Sequence, residues 1–142
     1  MKKNKAKQNI IIVGSGKLGS YIANDYSFNN DNVVLVDKDE NILKTINAKF
    51  GGKTVLGDAT DIKTLFKAGI KNADVVISAT NNDNINIFVS LIAKEIYNIK
   101  NVISRLYDFK LNVVYDKLNI KTICPSVLSA DAISDCILNI EK

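Results

Sequence analysis

Gly14, Gly16 and Gly19 fall at the spacing G-x-G-x-x-G, in the run Gly14-Ser15-Gly16-Lys17-Leu18-Gly19, and an acid, Asp37, follows about 20 residues on. The run leaves an apolar stretch, Ile10-Ile11-Ile12-Val13, and enters one where Leu18, Ile22 and Tyr26 recur at helical spacing. In a strand–turn–helix, glycine at 14 permits a tight exit from the strand. Glycine at 16 lets a pyrophosphate approach the backbone, and glycine at 19 lets the helix lie close to the strand. The free N–H groups at the helix start, with their partial positive charge, then suit phosphates. Asp37 ends the run Val33-Val34-Leu35-Val36 and is placed to accept hydrogen bonds from a ribose diol. Its charge disfavours a 2′-phosphate, so NAD or an adenine nucleotide is expected over NADP. Lys38 beside it softens that exclusion, and Lys17 adds a point charge suited to a terminal phosphate.

Two further loops belong to the same chemistry. Gly57-Asp58-Ala59-Thr60 and Ser78-Ala79-Thr80-Asn81-Asn82-Asp83 each follow a short apolar run, at the strand ends where open α/β sheets bind ligands. Their small polar residues permit close approach by a flat adenine or nicotinamide, and Asn82 or Asp83 also suits a helix N-cap. Arg105, just past Val102–Ser104, would face phosphate or a carboxylate partner.

The elements that must position these residues alternate. Strands are expected at Asn9–Val13, Val33–Asp37, Thr54–Leu56, Ala73–Ile77, Val102–Ser104 and Lys121–Cys124. Between them lie helices from about Lys17 to Phe28, after an Asp39 cap with Ile42, Leu43, Ile46 and Phe50 on one face, and from Asp61 or Thr60 to Gly69. Two more follow, at about Asn84–Tyr97 with Ile85, Phe88, Leu91, Ile92 and Ile96 inward, and at about Phe109–Leu118. Six strands alternating with helices predict an α/β fold, a Rossmann-like doubly wound parallel six-stranded sheet of order 3-2-1-4-5-6, with the crevice between strands one and four. A last helix, about Ser126–Glu141, carries the stripe Ala130, Ile133, Ile137 and Ile140, with Val127, Leu128 and Leu138 outside it. One buried face does not use that much apolar surface, so a second surface is expected to pack on it.

Composition bounds the rest. The 142 residues suit one domain, 46% hydrophobic and 24% charged. Much of the +4 net charge lies in Met1-Lys2-Lys3-Asn4-Lys5-Ala6-Lys7, read as a disordered basic tail over residues 1–8 without the apolar region of a signal peptide. The charge is too mild and scattered for nucleic acid, and no apolar run is long enough to insert in a membrane. Cys124 and Cys136 are read as two small buried hydrophobes in a reducing cytoplasm. There is no histidine, the commonest general base. An NAD-dependent oxidoreductase, or its cofactor-binding domain, is the alternative reading, and it lacks an evident acid–base constellation.

Together, Gly14–Gly19, Val36-Asp37, Gly57-Asp58-Ala59-Thr60, Ala73–Thr80 and Cys124-Pro125-Ser126 resemble the RCK or KTN domain, the N-terminal lobe of Trk- and Ktr-type potassium-uptake regulatory subunits. The resemblance runs from about Gln8 to Ile140. It implies a cytoplasmic, non-enzymatic subunit at the inner face of the cell membrane that binds NAD(H) or ATP/ADP and gates a membrane-embedded potassium transporter. It implies a nucleotide-binding domain over 9–125, and a crossover helix over 126–142 that pairs homodimers, which then assemble into a ring. Nucleotide contacts carried over fall on Gly14, Ser15, Gly16, Lys17, Leu18, Asp37, Asp58, Ala59, Thr80 and Arg105, with Gly19, Lys38 and Asn81 beside them. Lys17 stands where Ktr-type members often carry arginine. The family usually continues into a C-terminal ligand lobe, so either a shortened chain or a one-lobe member is expected.

Overall fold

The computed structural model describes residues 5–47 and 50–140. Six parallel strands form one sheet in the order β3-β2-β1-β4-β5-β6. The strands are β1 Asn9–Val13, β2 Asn32–Asp37, β3 Lys53–Leu56, β4 Val75–Ser78, β5 Asn101–Arg105 and β6 Lys121–Ile123. The helices are α1 Lys17–Phe28, α2 Glu40–Asn47, α3 Ile62–Lys67, α4 Asp83–Leu91, α5 Asn112–Lys117 and α6 Pro125–Ile140. The predicted strand order is the observed one.

Strand alternation explains the layers. Ile10 and Ile12 of β1 join Val33, Leu35, Ala23 and Leu43 in a core beneath α1 and α2. Ile11 and Val13 point to the opposite face and join Val36, Leu65, Val76, Val89, Val102 and Tyr115 beneath α3, α4 and α5. A strand covered on both faces reads as an unbroken apolar run, and Ile10–Val13 is such a run. Each fully buried side chain of this size contributes about 1.5–3 kcal/mol.

Several boundaries and faces differ from expectation. Met1–Asn4 of the expected tail lie outside the described residues, as do residues 48–49 at the end of the second helix and residues 141–142. Gln8, placed in the tail, is pinned: its N–H donates to Asp31 Oδ1 at 2.9 Å and its carbonyl accepts from Asn32 N–H at 2.8 Å. Ile42 is exposed while Leu43 is buried, because Ile42 turns toward the strand ends instead of the core. In α4 the buried residues are Asn86, Val89 and Ser90, followed by Ala93. Phe88 and Ile96 are exposed, so the expected inward stripe is rotated. Two causes act. The polar Asn86 and Ser90 occupy the centre of the buried stripe, and a π-helical turn over Ile92–Ile96 breaks the 3.6-residue period.

Cys124 is buried, but Cys136 is exposed. It sits on α6, which has no buried residue over its sixteen positions. The surplus apolar surface read from the sequence is therefore present, and α6 does not lie deep against its own sheet.

Candidate functional site

Four loops converge at the carboxyl ends of β1, β2, β3 and β4 around a cleft of about 370 Å³. Its walls include Gly14, Ser15, Gly16, Asp37, Lys38, Asp58, Ala59, Thr80 and Asn81. Four residues singled out in the sequence are not wall residues. Lys17 is exposed at the start of α1. Leu18 packs against the core beneath α1. Gly19 is buried under the helix. Arg105 stands behind the wall and reaches it through Asn81. Ile42 and Ile85 add apolar flanks, a role the sequence reading gave to the core. A larger cleft of about 600 Å³ opens at the amino ends of the strands. Its polar groups Asn9, Asp31 and Asn32 are hydrogen-bonded within its own turns, and ligands of open α/β sheets bind at the other end.

The glycines have separable jobs. Gly14 has φ +100°, and a Cβ there would stand 2.8 Å from Thr80 N and 2.9 Å from Ala79 C. Only glycine lets β1 turn while β4 passes so close. A Cβ at Gly19 would stand 1.9 Å from Gly14 O, so the closeness of α1 to β1 requires glycine there. At Gly16 a Cβ would meet nothing within 4 Å. The fold makes no demand on that position, and the space in front of it is open.

Helix starts at this rim are treated unequally. Asp39 accepts from Asn41 N–H at 2.9 Å, Asp61 from Lys63 N–H at 2.9 Å, and Asn82 from Asn84 and Ile85 N–H at 2.9 and 3.2 Å. These cap α2, α3 and α4. The N-cap of α1 is Gly16, with no side-chain cap. The positive end of the longest of the four helices is left for a ligand.

Asp37 is a fixed anion. Its Oδ2 accepts from Ser15 N–H at 2.8 Å and Ser15 Oγ at 2.5 Å, and its Oδ1 accepts from Asp39 N–H at 2.9 Å. Partial burial acts to raise its pKa, but hydrogen bonds from Ser15, Asp39 and Lys38 outweigh it and hold the carboxyl below its ordinary range. Asp58 accepts from Thr60 N–H at 2.9 Å and Thr60 Oγ1 at 2.7 Å. Those two bonds, with Lys38 nearby, lower its pKa as well. Asp58 thus shapes its own loop while facing the cleft.

On the far wall, Arg105 Nη1 donates to Asn81 Oδ1 at 3.0 Å. Its Nε is buried and has no hydrogen-bond partner among the described residues. A buried guanidinium N–H without an acceptor is costly.

The sequence reading passed over Asn86 at this wall and gave Asp83 only a turn or N-cap role. Asn86, fully buried, bonds Thr80 and Arg105. Asp83 accepts from Tyr107 and Asp108 N–H at 2.7 and 2.9 Å, and its carbonyl accepts from Tyr115 Oη at 3.0 Å. Burial pushes the Tyr115 hydroxyl pKa up. The available signal was a polar residue, Asn86, interrupting an apolar helical stripe.

The family model described as the TrkA-N domain matches residues 10–125. The Trk system potassium uptake protein TrkA of Streptomyces coelicolor is 33% identical over 122 residues, which are 86% of this chain and 55% of that protein. The chain thus spans about half of that relative's length. The RCK domain of GsuK matches with a TM-score of 0.82 and 22% identity, over 97% of this chain and 30% of that one. The GsuK channel bound to NAD gives 0.71 and 16%, over 84% and 22%. The Kef C-terminal domain of Shewanella denitrificans, in AMP-bound form, gives 0.81 and 20%, over 92% and 80%.

Proposed function

Because this chain belongs to the TrkA-N domain family, we propose that it is a nucleotide-binding regulatory lobe, not an enzyme, that gates a potassium-uptake transporter from the cytoplasmic side. The ligand is NAD(H) or an adenine nucleotide such as ATP or ADP. The observation that carries this reading is the uncapped start of α1, opening onto empty space at Gly16 with the Asp37 anion across the cleft. Backbone N–H groups of the Gly14–Leu18 turn hold phosphate, and Asp37 accepts from the ribose hydroxyls. Lys17 and Lys38 add positive charge at the mouth, and Arg105, behind the second wall, orients Asn81 through its Nη1. The GsuK channel bound to NAD and the Kef domain in AMP-bound form support a nucleotide as the ligand class.

The cleft is poorly suited to proton transfer. Hydrogen bonds from their own loops hold the carboxyls of Asp37 and Asp58 as anions of lowered basicity, so neither suits a general acid and each is a weak general base. Regulation instead needs a nucleotide that binds one assembly geometry better than another, since only that difference shifts the transporter. A homodimer built through α6, assembled into a ring, supplies the alternative geometries. No helix among the described residues is long and apolar enough to cross a membrane.

Calorimetric titration of the purified chain with NAD, NADH, ATP, ADP and AMP tests the reading. Saturable binding with mutual competition is expected. No saturable binding of any of the five overturns it.

A further inference from the structure

The hydrogen-bond ladder between β4 and β5 ends at the pair Ser78 and Ser104. Thr80 and Arg105 lie beyond that pair: Arg105 is still in register with Ile123 of β6, but no ladder bond joins it to the chain leaving β4. One side chain takes over there. Asn86 Oδ1 accepts from Thr80 N–H at 3.0 Å and from Thr80 Oγ1 at 2.6 Å. Its Nδ2 donates to Thr80 O at 3.0 Å and to Arg105 O at 3.1 Å. All four hydrogen-bonding positions of the amide are filled. Its orientation is fixed, because a backbone N–H must meet the oxygen and two carbonyls must meet the nitrogen. Asn86 is wholly buried, so leaving any of these groups unpaired carries the full desolvation cost.

The two strand ends it ties carry the polar atoms of the second wall: Asn81 follows Thr80, and the Arg105 guanidinium reaches Asn81. The doubly wound fold has two mononucleotide-binding halves. Asp37 and the α1 start belong to the first, and Thr80, Asn81 and Arg105 belong to the second. We infer that Asn86 is a positioning residue for the second half alone, setting how tightly the site holds a dinucleotide relative to a mononucleotide. This rests on the nucleotide reading above.

The test is the ratio of affinities for NAD and AMP in wild type and Asn86→Ala, with thermal melting measured alongside. NAD should weaken by about tenfold or more, one step of about 1.4 kcal/mol, while AMP stays within about twofold. Equal loss for both ligands, or no loss for either, overturns the inference and leaves Asn86 a fold residue only. If the alanine variant does not fold, Asn86→Ser keeps a small polar group, and the same ratio is read on it. Failure of the wild type to bind either nucleotide removes the underlying reading, and the inference falls with it. Wild-type binding with an unmoved ratio removes the inference alone.

Discussion

Asp37 has both oxygens engaged within the protein, Oδ2 by Ser15 and Oδ1 by Asp39. A ribose hydroxyl would, under the proposed function, exchange with the Ser15 hydroxyl, the one of these donors that can rotate away. Under the proposed function, Asp37→Ala should weaken nucleotide binding by about tenfold or more, since hydrogen bonds to a charged group are worth about 1.5–3 kcal/mol each. An unchanged dissociation constant by calorimetry would remove Asp37 from the site. The same residue makes a pH prediction. Its folded pKa lies below the ordinary aspartate range, so its stabilising contribution is present above that range and lost as pH falls through the folded value. The melting difference between wild type and Asp37→Ala should therefore be flat through neutral pH and close only in acid. Asp37 was legible in the sequence because the glycine turn and the acid ending the next strand form a local pattern. Asn86 was not, because its partners arrive from the ends of β4 and β5, and its polarity argued against burial until those partners were known.

Among the elements, the strand–turn–helix of β1 and α1 separates folding from binding at glycines three residues apart. Gly19→Ala drives a Cβ into the Gly14 carbonyl. It should cost at least the ~1–3 kcal/mol of an overpacked core, seen as a lowered denaturation midpoint. Gly16→Ala meets no protein atom and keeps an ordinary φ of −64°. Its stability should stay within about 1 kcal/mol of wild type, while nucleotide affinity falls as the methyl enters the open space. Equal melting losses in the two variants would contradict this division. The alternation of strands and helices was legible throughout, because apolar runs bounded by Gly, Asn and Asp are strong local signals. The facing of α4 was not, since the π-helical turn at Ile92–Ile96 and the satisfied polar groups of Asn86 and Ser90 both defeat a hydrophobic period. Gly69, predicted to stop α3, does so with φ +86°, just past the Ala68 C-cap.

For the whole molecule, α6 leaves Leu128, Ile133, Ile137, Leu138 and Ile140 more than half exposed. An apolar helix of this length, about 24 Å at 1.5 Å per residue, is the kind of surface that marks an interface. Wild type should sediment as a dimer or larger, and Ile133→Asp, which alters no buried residue, should shift it toward monomer without changing the far-UV spectrum. A wild-type chain that stays monomeric at high concentration would refute the pairing. The sequence disclosed the surplus apolar surface, but not whether the sheet beneath would absorb it. That depended on the direction in which the chain leaves β6. A different consequence follows from the approach of Gly14 to Thr80. At that point the two halves meet backbone to backbone, with no room for a side chain on Gly14. Under the proposed function, a nucleotide lying across this crossing touches both halves at once, so any shift of the β1 turn against the end of β4 alters its grip.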